Sequence, residues 1–104
     1  MNYSDLKRKA NGFRQGKKYE EAITFYDNIW KYYRSECSEW DAWGYIYCLK
    51  QCKRYEEAIE LCREARERWQ GVQHIDNLYA WCLFFKEIIN GNIEDEQQLI
   101  STVD

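Results

Sequence analysis

The sequence predicts an all-α fold, a right-handed array of about three helical hairpins in which each unit buries its neighbour's apolar face. Three observations carry this. Lys17-Lys18-Tyr19-Glu20-Glu21-Ala22-Ile23 returns as Lys53-Arg54-Tyr55-Glu56-Glu57-Ala58-Ile59, an offset of 36 residues within a chain of 104. That offset is too long for a heptad and suits a helix-turn-helix unit. Proline is absent, and apolar residues recur at three- and four-residue steps, as in Tyr19, Ala22, Ile23, Tyr26, Ile29, Trp30 and Tyr33, with no strand-like alternation. Turn signals then divide the chain at Gly16-Lys17-Lys18, at Gly71 and at Asn90-Gly91-Asn92.

These signals give one domain of three units, approximately residues 3–36, 37–72 and 73–104, with five or six helices. The first unit opens with Leu6, Ala10 and Phe13 on one helix and continues through Ala22 and Tyr26 on the next. Ser38-Glu39-Trp40-Asp41 reads as a capping box that starts the first helix of the second unit. Ala58 and Cys62 mark that unit's second helix, and Asp76, Tyr79, Ala80 and Leu83 mark the first helix of the third. A short amphipathic segment at 93–103, with Ile93, Leu99, Ile100 and Val103, is expected to cap the array. Small residues at Ala10, Ala22, Gly44, Ala58, Ala65 and Ala80 are expected where helices cross closely.

The units resemble tetratricopeptide repeats, whose pattern is W-x2-L-G-x2-Y followed by A-x3-F. Trp40-x2-Trp43-Gly44-x2-Tyr47 matches the first helix, and Ala58-x3-Cys62 matches the second, with Cys in the aromatic position. In this alignment Leu6 corresponds to Trp40, 34 residues on, while Ala22 corresponds to Ala58, 36 residues on. Two extra residues are therefore expected in the second unit's turn, between Tyr47 and Tyr55. The resemblance covers roughly residues 3–90.

Members of that family hold peptides or partner proteins in a concave groove lined by the first helix of each unit, and the same is expected here. The groove-facing positions are read as Lys7, Asn11 and Arg14, then Asp41, Tyr45 and Cys48, then Asn77, Trp81 and Phe84. One end would be basic and the other aromatic. Lys7-x3-Asn11 is similar to half of the clamp by which some members hold a chaperone's terminal carboxylates, since both groups donate hydrogen bonds to an acid. The other clamp positions carry Ala42, His74 and Leu78 instead. The implied partner is a protein or peptide with an acidic or carboxylate-bearing segment.

The remaining composition bounds the alternatives. A net charge of −3 argues against a nucleic-acid binder or a membrane-surface protein. The polar start and the lack of a long apolar run lead to the expectation of a cytoplasmic protein. Five cysteines, an odd number, are read as reduced thiols packed in the core, so neither a metal nor a cofactor is expected. His74 is the sole histidine and no catalytic motif occurs, so no enzyme is expected. Two other readings remain: an amino-terminal interdomain or self-association element of a larger protein, including a homodimer through the carboxyl-terminal end, and a Cys-based metal or redox module.

Overall fold

The computed structural model describes residues 1–89, in which every regular element is an α-helix. The helices are α1 (Tyr3–Gln15), α2 (Tyr19–Tyr32), α3 (Glu39–Gln51), α4 (Tyr55–Arg68) and α5 (Gln73–Ile89). The segment 93–103, expected to cap the array, lies outside the described residues.

Local chemistry fixes the helix ends. Asn2 caps α1 by accepting a 2.9 Å hydrogen bond from the Asp5 amide. Ser38 caps α3 in the expected capping box, its hydroxyl accepting from the Asp41 amide while the Asp41 carboxylate accepts from the Ser38 amide. The carboxyl ends of α1 and α3 close in the same way. Lys17 and Lys53 adopt φ of 61° and 62°. Lys18 N donates to Phe13 O at 2.8 Å and Arg54 N to Leu49 O at 2.9 Å, which completes the same two-bond left-handed cap at each site.

This identity of turns decides the register. Helices α1 and α3 have 13 residues each, α2 and α4 have 14, and both turns have the same bonds, so the first two hairpins correspond residue for residue at an offset of 36. The expected two-residue insertion between Tyr47 and Tyr55 is absent. It sits in the link between hairpins: residues 33–38 join α2 to α3, whereas only residues 69–72 join α4 to α5. Leu6, Ala10 and Phe13 thus correspond to Ala42, Ile46 and Leu49, two positions beyond the tetratricopeptide alignment that began at Trp40.

Packing follows the sequence neighbours, α1 on α2, α2 on α3, α3 on α4 and α4 on α5. Small residues allow the close approaches: Ala10, Ala22, Ala42, Ala58 and Ala65 are fully buried. At Gly44 an added Cβ would lie 2.5 Å from the Tyr26 hydroxyl, so α2 and α3 meet there without room for a side chain. Ala80 departs from expectation and is exposed, because no helix among the described residues packs on that side of α5.

First helices touch one another, α1 with α3 and α3 with α5. The second helices are linked through long side chains instead. Trp30 Nε1 donates to Glu64 at 3.2 Å, Arg54 faces Glu20 at 3.5 Å, and Arg68 donates to the carbonyls of Arg34 and Cys37. The side on which α1 touches α3 and α3 touches α5 is termed the inner side.

Candidate functional site

The corrected register changes which residues of α3 share the inner side with α1. Lys7, Asn11 and Arg14 correspond to Trp43, Tyr47 and Lys50 rather than to Asp41, Tyr45 and Cys48. Helices α3 and α5 begin 34 residues apart, so the same row continues as Asn77, Trp81 and Phe84. The geometry agrees. The Arg14 guanidinium lies over the Trp43 ring at 5.3 Å, and the Lys50 ammonium lies over Tyr47 at 5.6 Å and over Phe85 at 5.3 Å. Trp43 stacks on Tyr47 at 5.1 Å, and Trp40, 57% exposed, lies edge-on to Trp43 and parallel to His74 at 3.8 Å. Trp81 meets both Phe84 and Phe85.

The three α3 positions read from sequence lie on a different side of that helix. Asp41 is 3% exposed, closes the capping box and accepts a hydrogen bond from the Tyr3 hydroxyl. Tyr45 stacks on Tyr26 and donates to Asp27 at 2.8 Å, and this contact, with burial as the larger cause, pushes its hydroxyl well above the usual range. Cys48 is fully buried. Asp41 and Tyr45 thus tie α3 to the preceding hairpin, and Cys48 lies in the core.

The α1 and α5 positions stand nearer the expected surface. Lys7 is half-buried, over the Tyr3 ring at 5.7 Å. Asn11 accepts from the Tyr26 hydroxyl at 2.6 Å, and Arg14 donates to the same oxygen at 2.9 Å, so one edge of each is committed to the α1–α2 contact inside the first hairpin. Burial pushes Tyr26 up to about 12 against the lowering effect of Arg14, which keeps it a proton donor to Asn11 at neutral pH. Asn77 is exposed and accepts from Gln73 at 2.8 Å, Trp81 is 38% exposed and Phe84 is half-buried.

Sequence reasoning missed Trp43, Tyr47 and Lys50. The signal was present: counting back from Tyr55 as one counts back from Tyr19 places them opposite Lys7, Asn11 and Arg14.

Charge separates the two sides. The inner row carries Lys7, Arg14 and Lys50, while a recess between Tyr45 and Leu61 is walled by Glu56, Glu57, Glu60 and Glu64. Those carboxylates have cationic neighbours in Lys86, Arg54, Arg63 and Arg34 respectively. The inner cations face aromatic rings instead.

The thiols are spread through the core. Burial pushes Cys37 and Cys48 up to about 12 and Cys52 up to about 11, and Cys62, against Cys82 and buried, also stands well above the usual thiol range. No group of three or more His, Cys, Asp or Glu among the described residues is placed to hold a metal ion, and no described helix is long and apolar enough to cross a membrane. No protein-family model matches the chain, and neither curated proteins nor solved structures give a match.

Proposed function

We propose that this chain is a non-catalytic interaction module of the tetratricopeptide kind, working in the cytoplasm and holding a peptide or protein segment along the inner side of α1, α3 and α5. The supporting observation is the three-by-three grid of Lys7, Asn11 and Arg14, Trp43, Tyr47 and Lys50, Asn77, Trp81 and Phe84, which appears once the identical turns set the register. Its chemistry suits a segment with alternating acidic and apolar side chains. The cations offer charge-assisted hydrogen bonds to carboxylates, and rings with exposed faces offer large contact area at small entropic cost. We read it as non-catalytic because the grid supplies donors and rings, while Cys37, Cys48 and Cys62 are buried and held protonated and Cys82, lowered by its hydrogen bond with Cys62, is itself fully buried.

Fluorescence anisotropy against a panel of labelled acidic-apolar peptides tests this. Trp43→Ala and Lys50→Glu should each weaken the best binder by about 1–3 kcal/mol, the range for hydrogen bonds to charged groups and for contact residues of weight. Circular dichroism should show the same helix content. Binding left intact by both substitutions would remove the grid as the site.

A further inference from the structure

The amino-terminal face of the molecule occupies the positions of an internal contact, yet no helix among the described residues packs over it: Phe13 and Phe25 are only partly buried, with the Lys9 ammonium over the Phe25 ring at 5.9 Å. Phe13 and Phe25 stack at 5.6 Å on the outer side of the first hairpin. Their counterparts in the second hairpin, 36 residues on, are Leu49 and Leu61, only 1% and 8% exposed. There α2 packs alongside, through the Tyr26–Tyr45 stack and the Tyr45–Asp27 hydrogen bond. Gly12 shows the same contrast: an added Cβ would meet nothing within 4 Å, whereas its counterpart Cys48 is fully buried. Two shallow recesses flank the phenylalanine pair, one walled by Lys9, Gly12 and Lys18, the other by Met1 and Tyr32, which are 65% and 74% exposed.

The rim of this face is basic. Of the six Lys or Arg in residues 1–18, Lys7 and Arg14 belong to the inner row and Arg8 pairs with Asp5, which leaves Lys9, Lys17 and Lys18. Lys9, Lys17 and Lys18 are exposed and form no ion pair among the described residues. The complement lies in the same chain. Residues 90–104 contain four acids, Glu94, Asp95, Glu96 and Asp104, and no Lys or Arg.

We propose that the amino-terminal face of one copy receives the carboxyl-terminal end of a second copy, head to tail, with Phe13 and Phe25 as the apolar seat and Lys9, Lys17 and Lys18 facing the acidic end. Such a contact joins two different surfaces, so it leaves a free head and a free tail and extends into open chains unless the rotation closes a ring. It uses residues apart from the inner grid, so peptide capture and self-association can fail separately.

Sedimentation equilibrium of the 104-residue chain over a wide concentration range tests this, at low salt and at about 1 M salt, where the screening length shrinks to about 3 Å. The weight-average mass should climb past that of two chains at low salt and fall back at high salt. A head variant, Lys9→Glu with Lys18→Glu, and a tail variant, Glu94→Lys with Asp95→Lys and Glu96→Lys, should each be monomeric alone and associate when mixed. Lys9 and Lys18 are exposed, and Phe25→Ser supplies a second probe of the apolar seat, with circular dichroism confirming the fold of every variant. A monomer at every concentration overturns the proposal. So does association lost in the head variant but kept in the tail variant, which marks a head-to-head dimer, and so does association lost in both and not restored by mixing.

Discussion

Gly44→Ala and Gly12→Ala are the same chemical change made in two helices, and the structure assigns them opposite signs. At Gly44 the new methyl would lie 2.5 Å from the Tyr26 hydroxyl oxygen, 2.7 Å from Cζ and 3.1 Å from Cε1. Tyr26 has nowhere to go: it is 1% exposed, and its hydroxyl is held by Asn11 at 2.6 Å and Arg14 at 2.9 Å. Overpacking of this kind costs about 1–3 kcal/mol. Breaking the hydroxyl's bonds adds about 1–2 kcal/mol. Against this stands the roughly 1 kcal/mol that alanine gains over glycine inside a helix. The net expectation is a loss of about 1–4 kcal/mol. At Gly12 nothing opposes the propensity term, so stability should rise by up to about 1 kcal/mol. Urea unfolding followed by circular dichroism at fixed temperature measures both. Tyr26→Phe combined with Gly44→Ala should recover part of the loss, because the nearest atom is removed. A Gly44→Ala protein as stable as the parent would refute the close crossing of α2 and α3, and with it the register on which the inner grid rests.

The other predictions use the same reasoning. Lys17→Gly and Lys53→Gly should each stabilise by about 0.5–1 kcal/mol, since a left-handed φ costs an L-residue about 1–2 kcal/mol and glycine little; a loss of stability in the urea midpoint would contradict the cap geometry. Asp41→Ala should cost about 2–3 kcal/mol, combining a lost helix cap with a stranded Tyr3 hydroxyl, while peptide capture by the remaining folded protein stays as it was. Stability should also decline with alkali. Tyr26, Cys37, Cys48 and Cys52 have folded values raised above their unfolded ones, so their neutral forms favour the fold below about pH 9. That advantage is lost as pH rises through about 11 to 12, which a melting series from pH 8 to 12 would show as a falling midpoint, and a flat profile would contradict the burial of these groups.

Much of the first two hairpins is legible because the phrase that spans their turns and opens α2 and α4 occurs twice. Tyr19 and Tyr55 open helices at the expected places, Ser38 and Asp41 form the expected capping box, and Ala22, Ala58 and Ala65 lie where helices cross. The face of α3 is not legible from its own letters. Trp40, Trp43, Gly44 and Tyr47 satisfy the repeat pattern in spelling, but Ala42, Ile46 and Leu49 satisfy it in burial, and the two sets differ by two positions, about 200° around a helix. The tie is broken by backbone geometry in the turn. Lys17 and Lys53 take the left-handed conformation without being glycine, so their equivalence carries no residue-type signal beyond the repeated phrase itself.

That shift has a physical consequence for function. Had the tryptophans faced the hairpin interior, α3 would have needed space that Gly44 denies it, because the Tyr26 ring already occupies the crossing. The chain instead fills its contacts with Ala42, Gly44 and Ile46 and turns Trp40, Trp43 and Tyr47 toward the inner side, where Trp40 remains 57% exposed. Each large ring left partly in water forgoes about 25 cal/mol for every Å² that could have been covered. An isolated exposed ring carries little meaning, but a stacked row of rings beside Arg14 has the aromatic and arginine content that interfaces favour. Gly44 at the α2–α3 crossing directly follows Trp43, which stacks on Tyr47, so the same substitution that tests the fold, Gly44→Ala, should also disturb the aromatic row.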